Sequence, residues 1–423
     1  GDGSQMLSDV ARDLPVETVL SGPAASVVGA AELFDAGDAV VADMGGTTLD
    51  VAALRNGAPI LSSRGARIGG FQTSVRAMAV RTTGLGGDSE IDLSGWPEVR
   101  IGPRRVVPVC RLPEEWPGAA GILKRLGAMP LSPSPNALEF AALPAGTEAD
   151  DALLHPLRNG PMLLDELAET MGRPGARHIP WQQRETEGRL VRYGLTLTDV
   201  LHETEQYTAF DRTASRALLD AWSMLLDVDV EDLVRGILCE FRRRVCEEVI
   251  GVLAPPDCPW QQADDLRHWL TEHLARPGGT ADASLRFGLS IAHPLIPVGA
   301  PTPALFPALE AVLGQSVRVS PHAGVANALG AIAGTVMLRE AAHIRITEEG
   351  AFLCSWRGGA ARESALGDAL QLCEKALTKR IRYAAEANHI RFVPPRFRAH
   401  KHEAETREGT LLLGVTLTAE LRG

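Results

Sequence analysis

The sequence predicts an α/β protein in which one lobe is interrupted by an insertion. Short strand–turn–helix patterns fill residues 1–104 and return in residues 283–342, and together they are predicted to form one discontinuous lobe. Helical periodicity at 199–251 and 262–275 predicts a mainly helical insertion over residues 105–282, although 103–160 carries no clear pattern. Residues 343–423 combine strand patterns with one long helix, as in a small α+β domain. A length of 423 residues suits two or three domains.

The first part of the lobe begins with an extended segment and a helix of small residues. Ser21 is a candidate N-cap and Pro23 lies in the first turn, so a helix is predicted over residues 24–34. An apolar strand at 39–42 then leads into a turn with two glycines. The other elements predicted here are an extended segment at 15–20 and strand-like runs at 58–63 and 76–83.

The later elements follow from apolar spacing and from proline breaks. Two strong helices are predicted in the insertion, at 214–226 and 230–252. Weaker patterns predict further helices at 262–275, 304–313, 324–338 and 366–388, and strands at 284–291, 316–319, 390–393 and 410–421. The small residues of 324–334 predict close crossing of a neighbouring helix, and either a hinge or ordinary tight packing would use it.

Composition limits the class of protein. Apolar residues make up 45% of the chain, and the mean hydropathy is near zero, which indicates a globular protein with sizeable cores. The formal net charge of −11 argues against a nucleic-acid-binding surface. The six cysteines are scattered and form no Cys-x-x-Cys pair, so neither a zinc site nor a disulfide framework is indicated. No apolar run has membrane-spanning length, and a cytoplasmic location is expected.

The most informative motif is the segment 43–50, Asp-Met-Gly-Gly-Thr-Thr-Leu-Asp, which predicts a phosphate-binding β-hairpin. Glycines let backbone amides approach an anion, and the threonines add hydroxyl donors. The phosphate-binding candidates are therefore Gly45, Gly46, Thr47 and Thr48. The two acids are the catalytic candidates, Asp43 and Asp50, which would reach Mg²⁺ or an attacking water. The alternative is a plain Gly-Gly hairpin with polar turn residues.

Two further turns are candidates for nucleotide contacts. The Gly-rich segment 84–89 offers Gly86, Gly87 and Ser89 to phosphate and Asp88 to a metal ion, although a plain loop is equally compatible with it. Gly299 and Ala300 would let a planar base lie on the backbone, and the alternative is a simple strand-to-helix turn. The histidines form no cluster in the sequence, and neither a Walker loop nor a Gly-x-Ser-x-Gly elbow is present.

The order of these pieces resembles the second lobe of the sugar-kinase, heat-shock ATPase and actin superfamily, which implies an actin-like, ribonuclease H-like fold. More narrowly, the chain resembles the hydantoinase A/oxoprolinase family. The segments that carry this resemblance are Pro-Val-Glu-Thr-Val-Leu-Ser-Gly-Pro-Ala at 15–24, Val-Val-Gly-Ala-Ala at 27–31, Asp-Met-Gly-Gly-Thr at 43–47, Gly-Gly-Asp-Ser at 86–89, Ile-Pro-Val-Gly-Ala-Pro at 296–301 and His-Ala-Gly-Val-Ala-Asn-Ala-Leu-Gly-Ala at 322–331.

The resemblance implies hydrolysis of ATP, with Mg²⁺, coupled to ring opening of a cyclic amide or imide such as 5-oxoproline or a hydantoin. Some relatives carboxylate ketones instead. In that chemistry ATP phosphorylates an amide oxygen or another oxyanion, which turns a poor electrophile into one that water can attack. An actin-like nucleotide switch or regulatory module, and a degenerate scaffold without nucleotide chemistry, are the alternatives.

The chain also departs from the family pattern. Ala25 and Ser26 replace a commoner Gly-Gly, and Asp88 stands where the family often has a third glycine, which adds negative charge near the expected phosphates. Family members usually carry an N-terminal lobe with its own Asp-x-Gly-Gly-Thr hairpin. This chain has one such motif and begins Gly-Asp-Gly-Ser without Met, so a processed chain or a piece of a longer one is expected. The partners that the resemblance implies are a missing N-terminal lobe, a second hydantoinase-type subunit and a small cyclic amide substrate.

Overall fold

The protein is mixed α/β in a computed structural model. The structure describes residues 1–6, 8–13, 15–62, 65–68, 71–73, 75, 77–124, 126, 136, 138–254, 289–334, 337–347, 349–387, 389–406 and 409–422. Two compact units are present. One contains Gly22–Ser74 and Met78–Gly330, and the other contains Gly1–Ser21, Val75–Ala77 and Ala331–Gly423.

The described helices agree with the sequence prediction best where apolar periodicity is strong. They are α1 (Ser8–Asp13), α2 (Ser21–Phe34), α3 (Leu112–Glu115), α4 (Ala120–Leu123), α5 (Leu164–Thr170), α6 (Trp181–Thr186), α7 (Leu197–Glu203), α8 (Arg212–Leu226), α9 (Val230–Leu253), α10 (Thr302–Leu305), α11 (Glu310–Leu313), α12 (Ala326–Ala333) and α13 (Leu366–Ala387). The helices predicted at 24–34, 214–226, 230–252 and 366–388 are confirmed as α2, α8, α9 and α13.

The described strands form three larger sheets and two isolated pairs. They are β1 (Ala39–Met44), β2 (Leu49–Arg55), β3 (Ala58–Pro59), β4 (Arg67–Ile68), β5 (Phe71–Gln72), β6 (Val80–Thr83), β7 (Ser89–Asp92), β8 (Arg100–Arg105), β9 (Val107–Pro108), β10 (Phe140–Ala142), β11 (Met162–Leu163), β12 (Val191–Gly194), β13 (Leu295–Val298), β14 (Met337–Ile346), β15 (Phe352–Trp356), β16 (Gly359–Glu363), β17 (Arg396–Thr406) and β18 (Gly409–Arg422).

The sheet that positions the predicted hairpin has the order β13-β1-β2-β3, with β6 also paired to β2. β1 runs parallel to β13 and antiparallel to β2. Its residues are almost continuously buried, as expected for a strand covered on both faces. The strand predicted at 39–42 is therefore confirmed, and it extends two residues further, to Met44.

Helices α2 and α12 cross at very close range beside this sheet. A Cβ added to Gly29 would lie 1.9 Å from the carbonyl oxygen of Ala326, and one added to Gly330 would lie 1.8 Å from that of Ala25. Only glycine fits at either position, because the backbone of the other helix fills the space. The close crossing predicted from the small residues is confirmed.

Several predicted elements were wrong for identifiable reasons. The segment predicted as extended at 15–20 begins with a 3-10 helix, Pro15–Thr18, since proline is tolerated in a first helical turn. The helix predicted at 304–313 is broken into α10, a 3-10 turn and α11, because Pro307 lacks an N–H donor. Residues 324–338 divide into a 3-10 turn, α12 and the start of β14.

The remaining differences concern strands. The strand predicted at 316–319 is reduced to a single bridge between Leu295 and Val317. The strand predicted at 390–393 is irregular chain, and the strand that pairs with β18 is β17. The run predicted at 76–83 contributes β6, whereas at 58–63 only β3 forms, with a bridge at Leu61. The helix predicted at 262–275 and most of the strand predicted at 284–291 lie outside the described residues.

The unit that contains Ala331–Gly423 is built around an antiparallel sheet with the order β16-β15-β14-β18-β17. Helix α13 packs on one face, and alternate strand residues form a core with it. The buried members include Leu338, Ile344, Cys354, Leu377 and Leu417. The strand predicted at 410–421 is confirmed as β18.

None of the helices in the described ranges combines the length and the apolar character needed to cross a bilayer. The described cysteines, Cys110, Cys239, Cys246, Cys354 and Cys373, carry free thiols.

Candidate functional site

The tip of the β1–β2 hairpin presents backbone amides to solvent. Gly45 donates its N–H to the carbonyl of Thr48 at 3.1 Å, which closes the turn. Gly46 and Thr47 are exposed, and within the described part of the chain no acceptor pairs with the amides of Gly46, Thr47 or Thr48. Successive unpaired N–H groups in a tight turn form an anion-binding site. The hairpin tip therefore has the geometry that the predicted phosphate site requires.

The second Gly-rich turn supports the hairpin tip from behind. Gly87 donates its amide to the carbonyl of Gly45 at 3.0 Å, and Asp88 donates to that of Gly46 at 2.9 Å. A Cβ on Gly86 would lie 2.4 Å from the backbone of Gly46 and Thr47, so the two turns touch through their main chains. The amides of this turn are thus occupied by protein acceptors, and its role is to fix the hairpin.

Ser89 takes part in the same support. It is fully buried, and its Oγ accepts the amide of Gly86 at 2.8 Å. Its own amide donates to the carbonyl of Gly86 at 3.1 Å. The structure therefore places the Ser89 hydroxyl inside the turn, whereas the sequence prediction assigned it to phosphate.

The segment that begins α7 also contributes to the site. Thr198 donates both its amide, at 3.1 Å, and its hydroxyl, at 3.0 Å, to the carbonyl of Gly87. The helix is fixed by Thr196 and Asp199, which form a reciprocal capping box. The buried Asp199 carboxylate also accepts the amide of Cys110 at 2.8 Å and the hydroxyl of Ser215 at 3.0 Å. Sequence reasoning missed these residues, although the Thr-x-x-Asp spacing is a recognisable capping signal.

Asp43 and Asp50 lie opposite each other on β1 and β2 and share one face of the hairpin. That face also carries Val41 and Ala52, which pack with α2, whereas Met44 enters the core on the opposite face. Alternation along the strands therefore turns both acids towards the α2 side.

The surroundings of the two acids alter their titration. Burial raises the pKa of Asp43, while a hydrogen bond from Ser26 lowers it and the Asp50 carboxylate raises it further. Burial likewise raises the pKa of Asp50, against hydrogen bonds from Thr82 and Thr48. Two half-buried carboxylates with raised pKa values on one face are typical of functional sites.

Asp43→Asn is expected to raise the free energy of unfolding by about 1 kcal/mol near neutral pH. The folded protein holds a proton on Asp43 more tightly than the unfolded chain, so the wild-type protein gains stability as the pH falls towards the raised pKa. The advantage of asparagine should therefore shrink on acidification. Urea unfolding of both proteins at about pH 7.5 and about pH 4.5 measures the difference in their free energies of unfolding. The control is Asp220→Asn at an exposed site on α8; an equal gain there would contradict the explanation.

Asp88, the other candidate metal ligand, is ion-paired. Its Oδ2 accepts from Arg105 Nη2 at 2.9 Å and lies 2.6 Å from the position that a Cβ on Gly46 would take. The guanidinium offsets the negative charge that Asp88 adds beside the hairpin tip. In the ranges given above, no group of three or more His, Cys, Asp or Glu side chains is placed to hold a metal ion by itself.

The Gly299–Ala300 turn lies against the end of β1. Gly299 has a φ of +105°, and a Cβ there would lie 2.0 Å from the carbonyl oxygen of Met44. Its amide donates to the carbonyl of Ala323 at 2.9 Å. Gly299 is thus fixed by packing, and the residue that faces open space is Ala300.

A cavity of about 710 Å³ adjoins the hairpin tip. Five predicted site residues line it: Gly45, Gly46, Gly87, Asp88 and Ala300. Its remaining wall combines aliphatic, proline and aromatic side chains with a few polar groups, namely Pro108, Arg111, Thr198, Leu201, Gln206, Tyr207, Phe210, Pro301, Pro303, Ala304, Pro307 and Ala308. The other predicted residues, Asp43, Thr47, Thr48, Asp50, Gly86, Ser89 and Gly299, are outside the lining.

The aromatic part of the cavity comes from the chain after α7 and was not predicted. Tyr207 and Phe210 follow α7, and their rings are edge-to-face at 6.1 Å. Both rings contact His202, whose Nε2 accepts the amide of Phe210 at 3.0 Å. The guanidinium of Arg111 lies 5.7 Å from the Phe210 ring centre. The cavity thus has a polar backbone end and an apolar, partly aromatic end, as ligand sites commonly have.

Comparison with known proteins finds a family match for the first quarter of the chain. Residues 1–108 match the hydantoinase/oxoprolinase family model, and this confirms the resemblance drawn from the sequence for that segment. No curated protein matches the chain.

Solved structures were also found. One is a nucleotide-free acetone carboxylase, at 12% identity and a TM-score of 0.43, with 96% of this chain and 50% of that chain covered. Another is an ATP-dependent caprolactamase from Pseudomonas jessenii, at 14% identity and a TM-score of 0.43, with 95% and 49% covered. The chain therefore spans about half the length of each of these proteins.

Proposed function

From the membership of residues 1–108 in the hydantoinase/oxoprolinase family, we propose that the chain is the ATP-binding part of an ATP-dependent enzyme that opens a cyclic amide or imide. The observation that supports this most is the set of unpaired amides at Gly46, Thr47 and Thr48, beside a cavity large enough for a nucleotide. A plain hairpin would not need a second turn to hold its tip rigidly at a cavity wall.

In this proposal the hairpin tip holds the terminal phosphates of ATP. Backbone amides bind phosphate oxygens without side-chain rearrangement, and the hydroxyls of Thr47 and Thr48 add donors. ATP supplies a phosphoryl group that activates an amide oxygen for attack by water. The fixed contacts behind the tip, from Gly87 and Asp88, keep those donors in position.

The opposite end of the cavity suits the base. Tyr207 and Phe210 provide aromatic surfaces, and the proline side of the cavity gives a flat apolar wall next to Ala300. Gln206 is a polar side chain of the lining that can orient the base, whereas Arg111 is already paired with Glu115 at 2.8 Å. This extends the predicted Gly299–Ala300 base contact to residues of the insertion.

The residues present fit a magnesium ion held in the usual way for nucleotides. Mg²⁺ takes one or two protein carboxylates and otherwise uses phosphate oxygens and water, so no cage of protein ligands is needed. Asp43 and Asp50, which lie outside the cavity lining on the α2 side of the hairpin, would be the carboxylates for this role or for positioning water, and Asp88 is less suited because Arg105 already pairs with it.

The wider assembly is part of the same proposal. Residues 1–104 and 283–342 would form an actin-like lobe, 105–282 the insertion and 343–423 the C-terminal domain of a cytoplasmic enzyme. An N-terminal lobe carrying the other hairpin would complete the cleft, together with a second hydantoinase-type subunit. The coverage of about half of the matched solved structures is consistent with such missing parts.

Titration calorimetry of the folded chain with Mg–ATP tests the proposal. Weak binding is expected, and both Asp43→Ala and Gly46→Val should weaken it at least about tenfold, or 1.4 kcal/mol. The matched controls are Asp220→Ala and Gly121→Val, which alter exposed sites far from the hairpin in sequence and should leave affinity unchanged. Absence of binding at millimolar ATP by folded protein would overturn the proposal.

Supplying the N-terminal lobe separates the enzyme from a nucleotide switch. ATP hydrolysis that depends on a cyclic amide would support the enzyme. Nucleotide-dependent partner release without substrate turnover would instead identify a switch.

A further inference from the structure

The face of the C-terminal sheet that α13 leaves uncovered is predominantly basic. Cross-strand register places His343, Thr416 and His400 in one row and Arg345, Gly414 and His402 in the next. Because side chains alternate along each strand, these residues lie opposite the Ile344–Val415–Leu417 core. The basic side chains that share this face are Arg339, His343, Arg345, Arg362, Arg396, Arg398, His400 and His402.

The acids on this face are few. Glu420 pairs with Arg339 at 3.8 Å, and Glu349 pairs with Arg362. Within the described part of the chain, no carboxylate is paired with Arg345, which is exposed. The same holds for Arg396 and Arg398 at the other end of the sheet. Local positive charge therefore persists on a chain whose formal net charge is −11.

A depression of about 440 Å³ lies in the middle of this face. Gly414 is part of its lining, and a Cβ there would lie 2.6 Å from the carbonyl oxygen of Ile344. Thr416 forms part of its floor, and its hydroxyl is 3.2 Å from His343 Nδ1 and 2.8 Å from His402 Nε2. Two imidazoles and the Arg345 side chain are thus held around one opening.

We propose that this depression binds a carboxylate side chain of an acidic protein segment, and that the basic sheet face around it docks the rest of that segment. Arginine and histidine donors match carboxylate oxygens, with charge-assisted hydrogen bonds from the guanidinium. Leucines at the rim supply apolar contacts: Leu353 is 36% exposed, Leu411 55% and Leu413 51%. The segment it fits therefore alternates acids with apolar residues.

Other ligands fit this face less well. A metal cation would be repelled by the surrounding arginines. Single-stranded nucleic acid needs aromatic rings for stacking, and the aromatic residues of these strands, Phe352, Trp356 and Phe397, pack in the helix-covered core.

Fluorescence polarisation of the full chain with a labelled nine-residue peptide of Glu-Glu-Leu repeats tests the proposal. Binding is expected, and it should weaken as NaCl rises from about 50 to about 500 mM, because salt screens exposed charges. The matched Gln-Gln-Leu peptide should not bind. Equal binding of the two peptides would overturn the carboxylate assignment, and tighter binding of an oligothymidylate would identify a nucleic-acid surface instead.

Paired charge variants locate the site. Arg345→Gln with Arg398→Gln should weaken peptide binding at least about fivefold. The control pair is Lys375→Gln with Lys379→Gln on the exposed side of α13, which removes the same charge from the same unit. This pair should change the peptide affinity less than about twofold. Equal weakening by both pairs would show a bulk charge effect and overturn the site.

A third variant tests the depression itself. Leu413→Glu places a carboxylate at its edge and should compete with the peptide, so that it weakens binding more than Leu413→Gln does. Equal effects of the two would contradict insertion of a carboxylate. Sedimentation of the wild-type chain should show no self-association. If the chain did self-associate, and Arg345→Gln with Arg398→Gln abolished it, the occupant would be a second copy of the chain.

Discussion

Replacing Gly86 with alanine is expected to abolish measurable Mg–ATP binding and to lower the free energy of unfolding by about 3 kcal/mol. The added Cβ would lie 2.4 Å from three backbone atoms of the hairpin tip, the carbonyl carbon and oxygen of Gly46 and the nitrogen of Thr47. A flexible side chain could move aside, but these atoms belong to the turn whose amides would bind phosphate. The tip must therefore shift, and its donors shift with it.

The backbone conformation of Gly86 is not the reason for this sensitivity. Its φ is outside the left-handed range that favours glycine, so alanine would be acceptable there without the neighbouring turn. Position 86 cannot accept a Cβ only because the backbone of the hairpin tip fills the space that it would take. Calorimetric titration with Mg–ATP and urea unfolding of the same samples measure the two effects together.

The control for Gly86→Ala is Gly121→Ala in α4, where a Cβ would meet nothing within 4 Å. It should leave ATP affinity unchanged and should not destabilise the fold, because alanine is the better helix former. If Gly86→Ala bound ATP like the wild type and unfolded like Gly121→Ala, the proposed contact between the two turns would be refuted.

The hairpin and the helix before it could be predicted because their signals are local. The apolar run that ends at Met44, the two glycines and the small residues of α2 are each contiguous in sequence. The same holds for α13, whose observed start at Leu366 coincides with the predicted one because the apolar spacing is strong. Contiguous patterns need no knowledge of the rest of the fold.

The role of the second Gly-rich turn could not be predicted, because long-range hydrogen bonds decide it. The sequence suggested phosphate contacts for Gly86, Gly87 and Ser89, whereas the structure uses the amides of this turn to hold the hairpin. The bond from Thr198 to Gly87 joins residues 111 positions apart. Composition and spacing carry no information about such pairings.

The apolar end of the cavity illustrates the same limit. Tyr207 and Phe210 stand in an irregular stretch after α7, where nothing in the sequence marks two aromatic residues as cavity walls. Their position follows from α7, which the capping box and the contacts of Asp199 fix and which Thr198 joins to Gly87. By contrast, the helix predicted at 304–313 missed a local signal, because Pro307 in its interior removes a hydrogen bond.

Arg192→Leu is expected to lower the free energy of unfolding by about 3–5 kcal/mol, the largest loss of stability anticipated for a single substitution in this chain. Arg192 is 2% exposed, and its Nη1 donates to Glu90 at 2.9 Å and to Glu139 at 2.6 Å. Its Nε donates to Glu185 at 2.8 Å, and the guanidinium lies 4.6 Å from the Trp181 ring centre. Leucine would leave the buried Glu139 carboxylate without its counter-charge, whereas Glu90 would keep its pair with Arg104 at 2.7 Å.

The pH dependence of that loss identifies its cause. Burial raises the pKa of Glu139 to about 7, while the Arg192 charge lowers it and the Glu90 carboxylate raises it. Since the folded protein holds this proton more tightly than the unfolded chain, stability falls as the pH rises through the interval from the ordinary glutamate value to about 7. Without Arg192 the charged form costs more, so the loss should be larger at about pH 8 than at about pH 5.5.

Urea unfolding at those two pH values measures the loss, and two further variants show where it comes from. Arg192→Leu combined with Glu139→Gln should recover part of the stability at the higher pH, because it removes the uncompensated charge. Arg100→Leu, which removes an arginine with a 67% exposed side chain paired to Asp92 at 3.4 Å, should cost less than about 0.5 kcal/mol. The loss of stability for Arg192→Leu could prove independent of pH, or Glu139→Gln could leave it unchanged. Either result would mean that packing against Trp181, and not charge compensation, stabilises this part of the protein.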